Sequence, residues 1–210
     1  MIPRSYNPTT RRRQQAERKA RIAAATAGLH AAKGVVATSY AEIASQAGVS
    51  LPTVYSYFPT QQELLQGCTG HVAAQAPPLP VEQILGADSL QAAARLLVSA
   101  TERQHLHFEP WLSKREDGVI PFLAGMSDGM RRAQAEFVAR VLRRHLGPGA
   151  RRELVAGWES LLSFDLWHRL VRGHALSRNA TRRILVQSLL ALAGTQPAAR
   201  PAPHSRRKSS

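Results

Sequence analysis

The sequence predicts an all-α protein in which a small amino-terminal helical domain precedes a larger helical one. Three observations carry that expectation. Apolar residues recur at helical spacing along the chain, and nothing reads as a paired set of strands. Residues 38–60, TSYAEIASQAGVSLPTVYSYFPT, read as two short helices joined by a glycine turn. Beyond about residue 71 the helices lengthen, with proline- and glycine-bearing breaks at 76–80 and 147–149.

The first ten residues are expected to form a disordered basic arm. Arg4, Arg11, Arg12, Arg13, Arg18, Lys19 and Arg21 precede or open the first helix, whereas residues 34–71 contain no lysine or arginine. The net charge of +14 divides as +5 over residues 1–71, +5 over 72–194 and +4 over 195–210. Such an arm attracts phosphates without reading sequence and gives a salt-dependent affinity. Within the first helix, Gly28 costs about 1 kcal/mol against alanine and softens it locally.

The second helix has a start signal. Ser39 and Glu42 have the spacing of a capping box, in which each satisfies a backbone amide at the other's position. Ile43, Ala44 and Ala47 then give one narrow apolar face, and Gly48 supplies the left-handed stop that glycine adopts at no steric cost. Ser50 is placed to cap the third helix, and Pro52 is tolerated in its first turn. Pro59 limits that helix to about two turns, too short to be stable alone. Val54 and Phe58 are spaced to face the core. Leu51, Pro52, Thr53, Tyr55, Ser56 and Tyr57 are left outside, and they are hydroxyl, aromatic and small apolar groups of the types that bond phosphates or touch a thymine methyl. Thr60 and Glu63 repeat the capping-box spacing at the fourth helix.

Arg21 to Leu65, RIAAATAGLHAAKGVVATSYAEIASQAGVSLPTVYSYFPTQQELL, resembles the DNA-binding domain of TetR-type (TetR/AcrR) transcriptional regulators over about a fifth of the chain. In that resemblance Gly34 ends the first helix, Thr38 and Ser39 open the second, AGVS forms the turn, TVYSYF is the recognition helix and ELL begins the fourth. Two residues depart from the pattern. His30 stands where the family usually has phenylalanine, which implies a more polar or rearranged core. Gln61 stands where a lysine commonly clamps a phosphate, which implies uniformly weaker binding.

In the larger domain, Asp88 or Ser89 is placed to cap a helix through LQAAARLLVSATERQHLHF, which Pro110 is expected to end. A helix from about Pro121 to Leu146 follows a loop near Lys114–Gly118, although Gly125 and Gly129 weaken its first half. GPG at 147–149 stops it. ARRELVAGWESLLSFDLWHRLVR, from Ala150 to Arg172, reads as one amphipathic helix, and Ser177 starts a last one. Residues 197–210, rich in proline and ending RRKSS, are expected to be a disordered basic tail.

The resemblance implies a helix-turn-helix DNA-binding domain over residues 11–71, with the motif at about 38–57, and a helical ligand-binding and dimerisation domain over 72–196. Ser39 and Tyr40 would meet the DNA backbone, Leu51, Pro52 and Thr53 would approach base edges, and Tyr55, Tyr57 and Gln61 would hold phosphates. Trp158, Leu161, Leu162, Trp167, Ile184, Leu185 and Leu189 belong to more apolar surface than one helical hairpin buries on itself, which points to a homodimer. Phe108, Trp111, Phe122, Met126 and Phe137 are candidates to line a site for a small-molecule inducer, with His105, His107, Glu109 or Asp165 as polar anchors.

The expected function is therefore a sequence-specific transcriptional repressor released from a palindromic operator by an inducer. The alternatives are a basic, sequence-indifferent DNA binder and a helical ligand carrier or enzyme with a vestigial amino-terminal domain. Catalysis finds little support. His105, His107 and Glu109 follow one another at a spacing of two, which puts successive side chains on different helical faces, no phosphate loop or nucleophile elbow occurs, and no metal or cofactor is expected. The beginning of the chain lacks the apolar segment of a secretory signal, no apolar run is long enough to span a membrane, and Cys68 is the only cysteine; a cytoplasmic protein is expected.

Overall fold

The computed structural model describes residues 8–148 and 151–194. Among these there are ten α-helices and no strand: α1 Pro8–Lys33, α2 Tyr40–Ala47, α3 Leu51–Tyr57, α4 Gln61–Ala74, α5 Val81–Leu85, α6 Leu90–Leu112, α7 Pro121–Leu146, α8 Arg152–Leu161, α9 Phe164–His168 and α10 Arg178–Gly194. The described residues fall into two compact units, one of residues 8–78 with 103–130, the other of 79–102 with 131–148 and 151–194. The first unit thus includes residues 103–130, which sequence alone assigns to the larger domain.

The first unit is built around α1. Ile22, Ala23 and Ala25 of α1 pack with Ile43, Ala44 and Ala47 of α2, with Val54 of α3, with Phe58 and with Leu64 of α4. His30 is buried at the carboxyl end of α1, its Nδ1 3.6 Å from Cys68 Sγ, and burial lowers its pKa despite the opposing charge of Glu116. A neutral imidazole therefore fills the position as a packing group. Burial pushes the Cys68 thiol up to about 12, so it acts as a small apolar residue. Gly28 is exposed, and a Cβ there would meet nothing within 4 Å.

Residues 111–116 fasten the end of α1 from far along the chain. Trp111 Nε1 donates to the Ala27 carbonyl (3.0 Å) and Lys114 Nζ to the Ala32 carbonyl (2.9 Å). The Glu116 carboxylate then accepts from the amides of Val35 (2.7 Å) and Val36 (2.9 Å), which follow the left-handed Gly34 (φ +90°). The last carbonyls of a helix, that of Ala32 among them, and the amides of the loop after it lack an intrahelical partner, whereas the Ala27 carbonyl lies inside α1 and takes Trp111 as an additional donor. Here side chains far away in sequence satisfy them, fixing the direction in which the chain leaves α1 for α2. A Cβ at Gly34 would lie 2.6 Å from Glu116 Oε1, so glycine is required both by the backbone and by the carboxylate.

The second unit has its own core. Leu97 and Val98 of α6, Val138, Val141 and Leu142 of α7, Leu154 and Trp158 of α8, and Leu185 and Leu189 of α10 are all buried together. Trp158 Nε1 donates to the Leu189 carbonyl (3.0 Å), pinning α8 to α10. Glu102 is 2 % exposed and receives hydrogen bonds from Arg178 and Arg182. Ser89 and Ser177 cap the amides of Ala92 and Ala180 at the starts of α6 and α10.

Several boundaries differ from those expected of the sequence. Residues 8–10 are already helical, so Arg11, Arg12, Arg13, Arg18, Lys19 and Arg21 lie on α1 rather than on an extended arm. Pro110 does not end α6, which continues to Leu112 with Trp111 anchored on Ala27. The stretch 150–172 is not one helix: Ser163 breaks it, its hydroxyl accepting from the Leu166 amide to start α9, and a wider π turn follows at Arg169–Gly173. The short α5 has no counterpart in the sequence pattern. The expected tail at 197–210 lies outside the described residues.

The fastening of α1 sets an expectation measurable by urea unfolding. Glu116→Ala removes two charge-assisted, partly solvated bonds and is expected to cost about 1–2 kcal/mol. Gly34→Ala is expected to cost about 1–3 kcal/mol through positive φ and the displaced carboxylate. The double variant should cost less than the two single losses together, because the Cβ–carboxylate conflict then disappears. Additive losses would show that the two positions do not meet.

Candidate nucleic-acid interface

The helical hairpin at 39–58 is set by local chemistry. Ser39, in extended geometry, accepts from the Glu42 amide through its hydroxyl, while the Glu42 carboxylate receives the Ser39 amide (2.9 Å) and hydroxyl (2.8 Å). Lys33, at the end of α1, donates a 2.5 Å bond to the other oxygen of Glu42. Gly48 takes the left-handed conformation (φ 64°, ψ 42°) and closes α2 with amide bonds to the carbonyls of Ala44 and Ser45. Val49 then packs under the turn against the core. Ser50 occupies the cap position of α3 without capping a backbone amide. Its hydroxyl instead bonds the Thr53 hydroxyl at 2.7 Å, tying together two polar groups of the surface.

α3 is oriented by two side chains. Val54 is fully buried and Phe58, just past the last turn, is 1 % exposed. Gly67 of α4 leaves room for the Phe58 ring, since a Cβ there would stand 2.5 Å from it. Lys19 of α1 lies over the same ring, 5.3 Å from its centre. Thr60 and Glu63 form the second capping box, starting α4 immediately after Pro59.

On the opposite side of α3, Leu51, Pro52, Tyr55 and Ser56 are exposed, while Thr53 and Tyr57 are half-buried. Tyr55 is 48 % exposed and stacks on Tyr40 of α2, their rings 4.7 Å apart and within 8° of parallel. Stacking restricts both rings, so their hydroxyls are held ready before a ligand arrives. Burial raises the Tyr40 pKa, with Tyr55 and Glu63 adding to it, and the Tyr40 phenol stays a neutral hydrogen-bond donor at neutral pH. Tyr57 packs on the hydrophobic core of this unit. Gln61 is exposed at the amino end of α4, and Ser39 is exposed at that of α2. The hairpin therefore presents hydroxyls and aromatic faces with no cation of its own.

Cations come from α1, where the charge run alone suggests an arm. Residues 9–21 are exposed throughout. At 100° per residue, Arg11, Arg12, Arg18 and Lys19 share one side of the helix; Arg13 pairs with Glu17 (2.8 Å) on the other. The spacing of seven between Arg11 and Arg18, and between Arg12 and Lys19, is the signal of that stripe in the sequence. Lys19 places the stripe beside the end of α3.

Residues 22–68 match the family model described as bacterial regulatory proteins, tetR family. Residues 22–68 therefore carry a tetR-family amino-terminal domain. The match covers the second half of α1, the whole of α2 and α3, and the start of α4. Two solved structures share the fold. One is a transcriptional regulator from Rhodococcus sp. Rha1, at 20 % identity and TM-score 0.58, covering 84 % of this chain and 96 % of that one. The other is a transcriptional regulator from Cytophaga hutchinsonii ATCC 33406, at 22 % identity and TM-score 0.51, covering 82 % and 93 %. A comparison with curated proteins returns no match.

The other sequence candidates are distributed differently. Phe108 and Trp111 pack on Ala27, Cys68 and Val72 in the first unit, whereas Phe137 packs on the core of the second. Phe122 and Met126 are half-buried on α7. His107 Nε2 donates to the Val72 carbonyl (2.9 Å), and the described residues contain no cluster of three metal-ligating side chains. No helix among them is long and apolar enough to cross a membrane. Trp158, Leu162, Trp167, Leu185 and Leu189 are buried within their own unit and Leu161 is half-buried, while Ile184 and Leu192 are each 40 % exposed.

The hairpin's polar start has a pH signature. The Lys33 bond, followed by those from the Ser39 amide and hydroxyl, lowers the Glu42 pKa from 4.5 to about 2. A depressed carboxyl pKa stabilises the fold above its unfolded value, and the effect fades as pH falls from about 4.5 through about 2. Carboxyl-carbon NMR should give a Glu42 midpoint far below its ordinary value, moving upward with salt because the group is exposed. A low-salt midpoint near 4.5 would remove the Lys33–Glu42 link.

Proposed function

We propose that the protein is a cytoplasmic, homodimeric transcriptional repressor that binds a palindromic operator through residues 11–71 and leaves it on binding a small molecule. The exposed α3 face with its Tyr40–Tyr55 stack carries this reading, because it is a rigid, uncharged surface on a helix sized for the major groove. In this arrangement Ser39 and Tyr40 meet the backbone ahead of the groove, Leu51, Pro52 and Thr53 approach base edges, and Tyr55, Tyr57 and Gln61 hold phosphates. The basic side of α1 supplies the salt-dependent share of affinity that Gln61 does not.

A two-fold dimer places two recognition helices about 34–36 Å apart, one turn of duplex. Ile184 and Leu192 of α10 offer the exposed apolar side chains for its interface. Inducer binding by the helical domain of residues 72–196 would widen that spacing through α4, and a coupling of about 1–3 kcal/mol is sufficient for a useful loss of operator affinity. The stripe on α1 favours one other reading, a sequence-indifferent DNA binder in which the helix-turn-helix reads little.

Selection from a random duplex pool, followed by anisotropy titrations of the selected and random duplexes at several salt concentrations, separates the two. The repressor reading expects the selected duplex to bind about 10³-fold tighter or more at physiological salt. Equal affinities throughout would leave the sequence-indifferent binder. Tyr55→Ala should weaken the selected duplex about tenfold, roughly 1.4 kcal/mol, without changing the melting temperature. Replacing Arg11, Arg12, Arg18 and Lys19 by glutamine should weaken both duplexes alike and flatten the salt slope by about 0.9 for each phosphate that the four side chains neutralise.

A further inference from the structure

A groove between α6 and α10 in the second unit is lined by residues that serve neither the hairpin surface nor the basic stripe on α1. Its volume is about 520 Å³, within the roughly 300–1,000 Å³ usual for small-molecule sites. Two helical stripes form its walls. Arg95 and Val98 stand on α6, while Arg182, Arg183, Val186 and Leu190 stand on α10, spaced to share one side. Val98 is 2 % exposed, and Val186 and Leu190 are half-buried, so the floor is apolar and the rim cationic.

The charge balance selects the ligand. No carboxylate lines the groove. Glu102, the acid paired with one of its walls, is 2 % exposed, and both its oxygens are already occupied, by Arg178 at 3.3 Å and by Arg182. Arg182 is thereby held in place along the wall. Arg95 and Arg183 have no ion-pair partner among the described residues and remain exposed at the mouth. The other polar lining groups are amides, Gln91 and Gln187 among them, which are neutral and able to donate. Guanidinium forks match carboxylate and phosphate oxygens in pairs. An apolar floor below them suits an alkyl or aryl body.

We propose that this groove binds an anionic amphiphile, its carboxylate or phosphate head on Arg95 and Arg183 and its apolar body along Val98, Val186 and Leu190. A neutral lipid would leave the arginines unmatched, and a cationic one would be repelled. A second copy of the chain is a poor occupant, because a two-fold contact through this groove brings its arginines near their own equivalents with no carboxylate in the groove to pair them. The site does not depend on operator binding, so it stands or falls apart from the repressor reading.

Isothermal titration calorimetry of the full-length protein with decanoate, decyl phosphate, decanol and decyltrimethylammonium tests it. One or both anions should bind saturably, at least tenfold tighter than decanol, with no binding of the cation. The two heads also distinguish a carboxylate ligand from a phosphate one. Arg183→Glu and Arg95→Glu, both at exposed positions, should each weaken the anion at least tenfold with an unchanged circular dichroism spectrum and melting temperature. Failure of both anions to bind, binding equal to decanol, or anion binding untouched by both substitutions would overturn the proposal. So would a change of oligomeric state in the variants with ligand affinity preserved, since the groove would then belong to an interface between copies.

Discussion

A helix of seven residues has no stability of its own in water, and the whole amino-terminal unit is arranged around that fact. α3 is held by Val54 and Phe58, which sink into a core made by α1, α2 and α4. Every other device serves the same end: the glycine turn sets where α3 begins, Pro59 and the Thr60–Glu63 box set where it stops, and Gly67 clears space for its anchor ring. Since α3 contributes so little to its own stability, its outward face is free to carry side chains suited to recognition rather than to folding. Tyr40 of α2, stacked on Tyr55, restrains that outer face from the neighbouring helix.

The features legible in the sequence are those that act over three or four residues. Both capping boxes, the left-handed Gly48 and the inward pair Val54 and Phe58 stand where spacing alone puts them. Bonds between distant segments leave no such mark. Nothing local identifies Glu116 as the partner of Val35 and Val36, or Trp111 and Lys114 as partners of carbonyls on α1. Those bonds explain why Pro110 fails to end α6: the turn after it is tethered from outside. Ser50 shows the opposite error, a residue of the right type at a cap position whose hydroxyl goes to Thr53.

In the second unit, periodicity shows how much apolar surface there is but not its partner. Trp158, Leu185 and Leu189 satisfy one another within the chain, which leaves Ile184 and Leu192 as the outward apolar side chains of α10. The arginines of the same helix fall on yet another side, toward α6. A helical segment with three chemically different faces looks uniformly amphipathic in its sequence pattern. Only packing separates core, outward apolar face and basic groove. The basic residues of α1 pose the same problem in reverse, since a run that reads as solvated tail becomes an ordered stripe once its backbone is helical.

The pairing of Phe58 with Gly67 has a consequence for how such a protein changes over time. The two positions are locked to each other: a Cβ at 67 displaces the ring, and a smaller residue at 58 leaves a hole beside Val54. Neither can be replaced singly without loss, so the route between this packing and another requires two substitutions together. Leu51, Pro52, Tyr55 and Ser56 belong to a separate set, exposed and absent from that core. Duplicated copies of this chain could therefore drift in what α3 touches while the hinge on which it is mounted stays fixed.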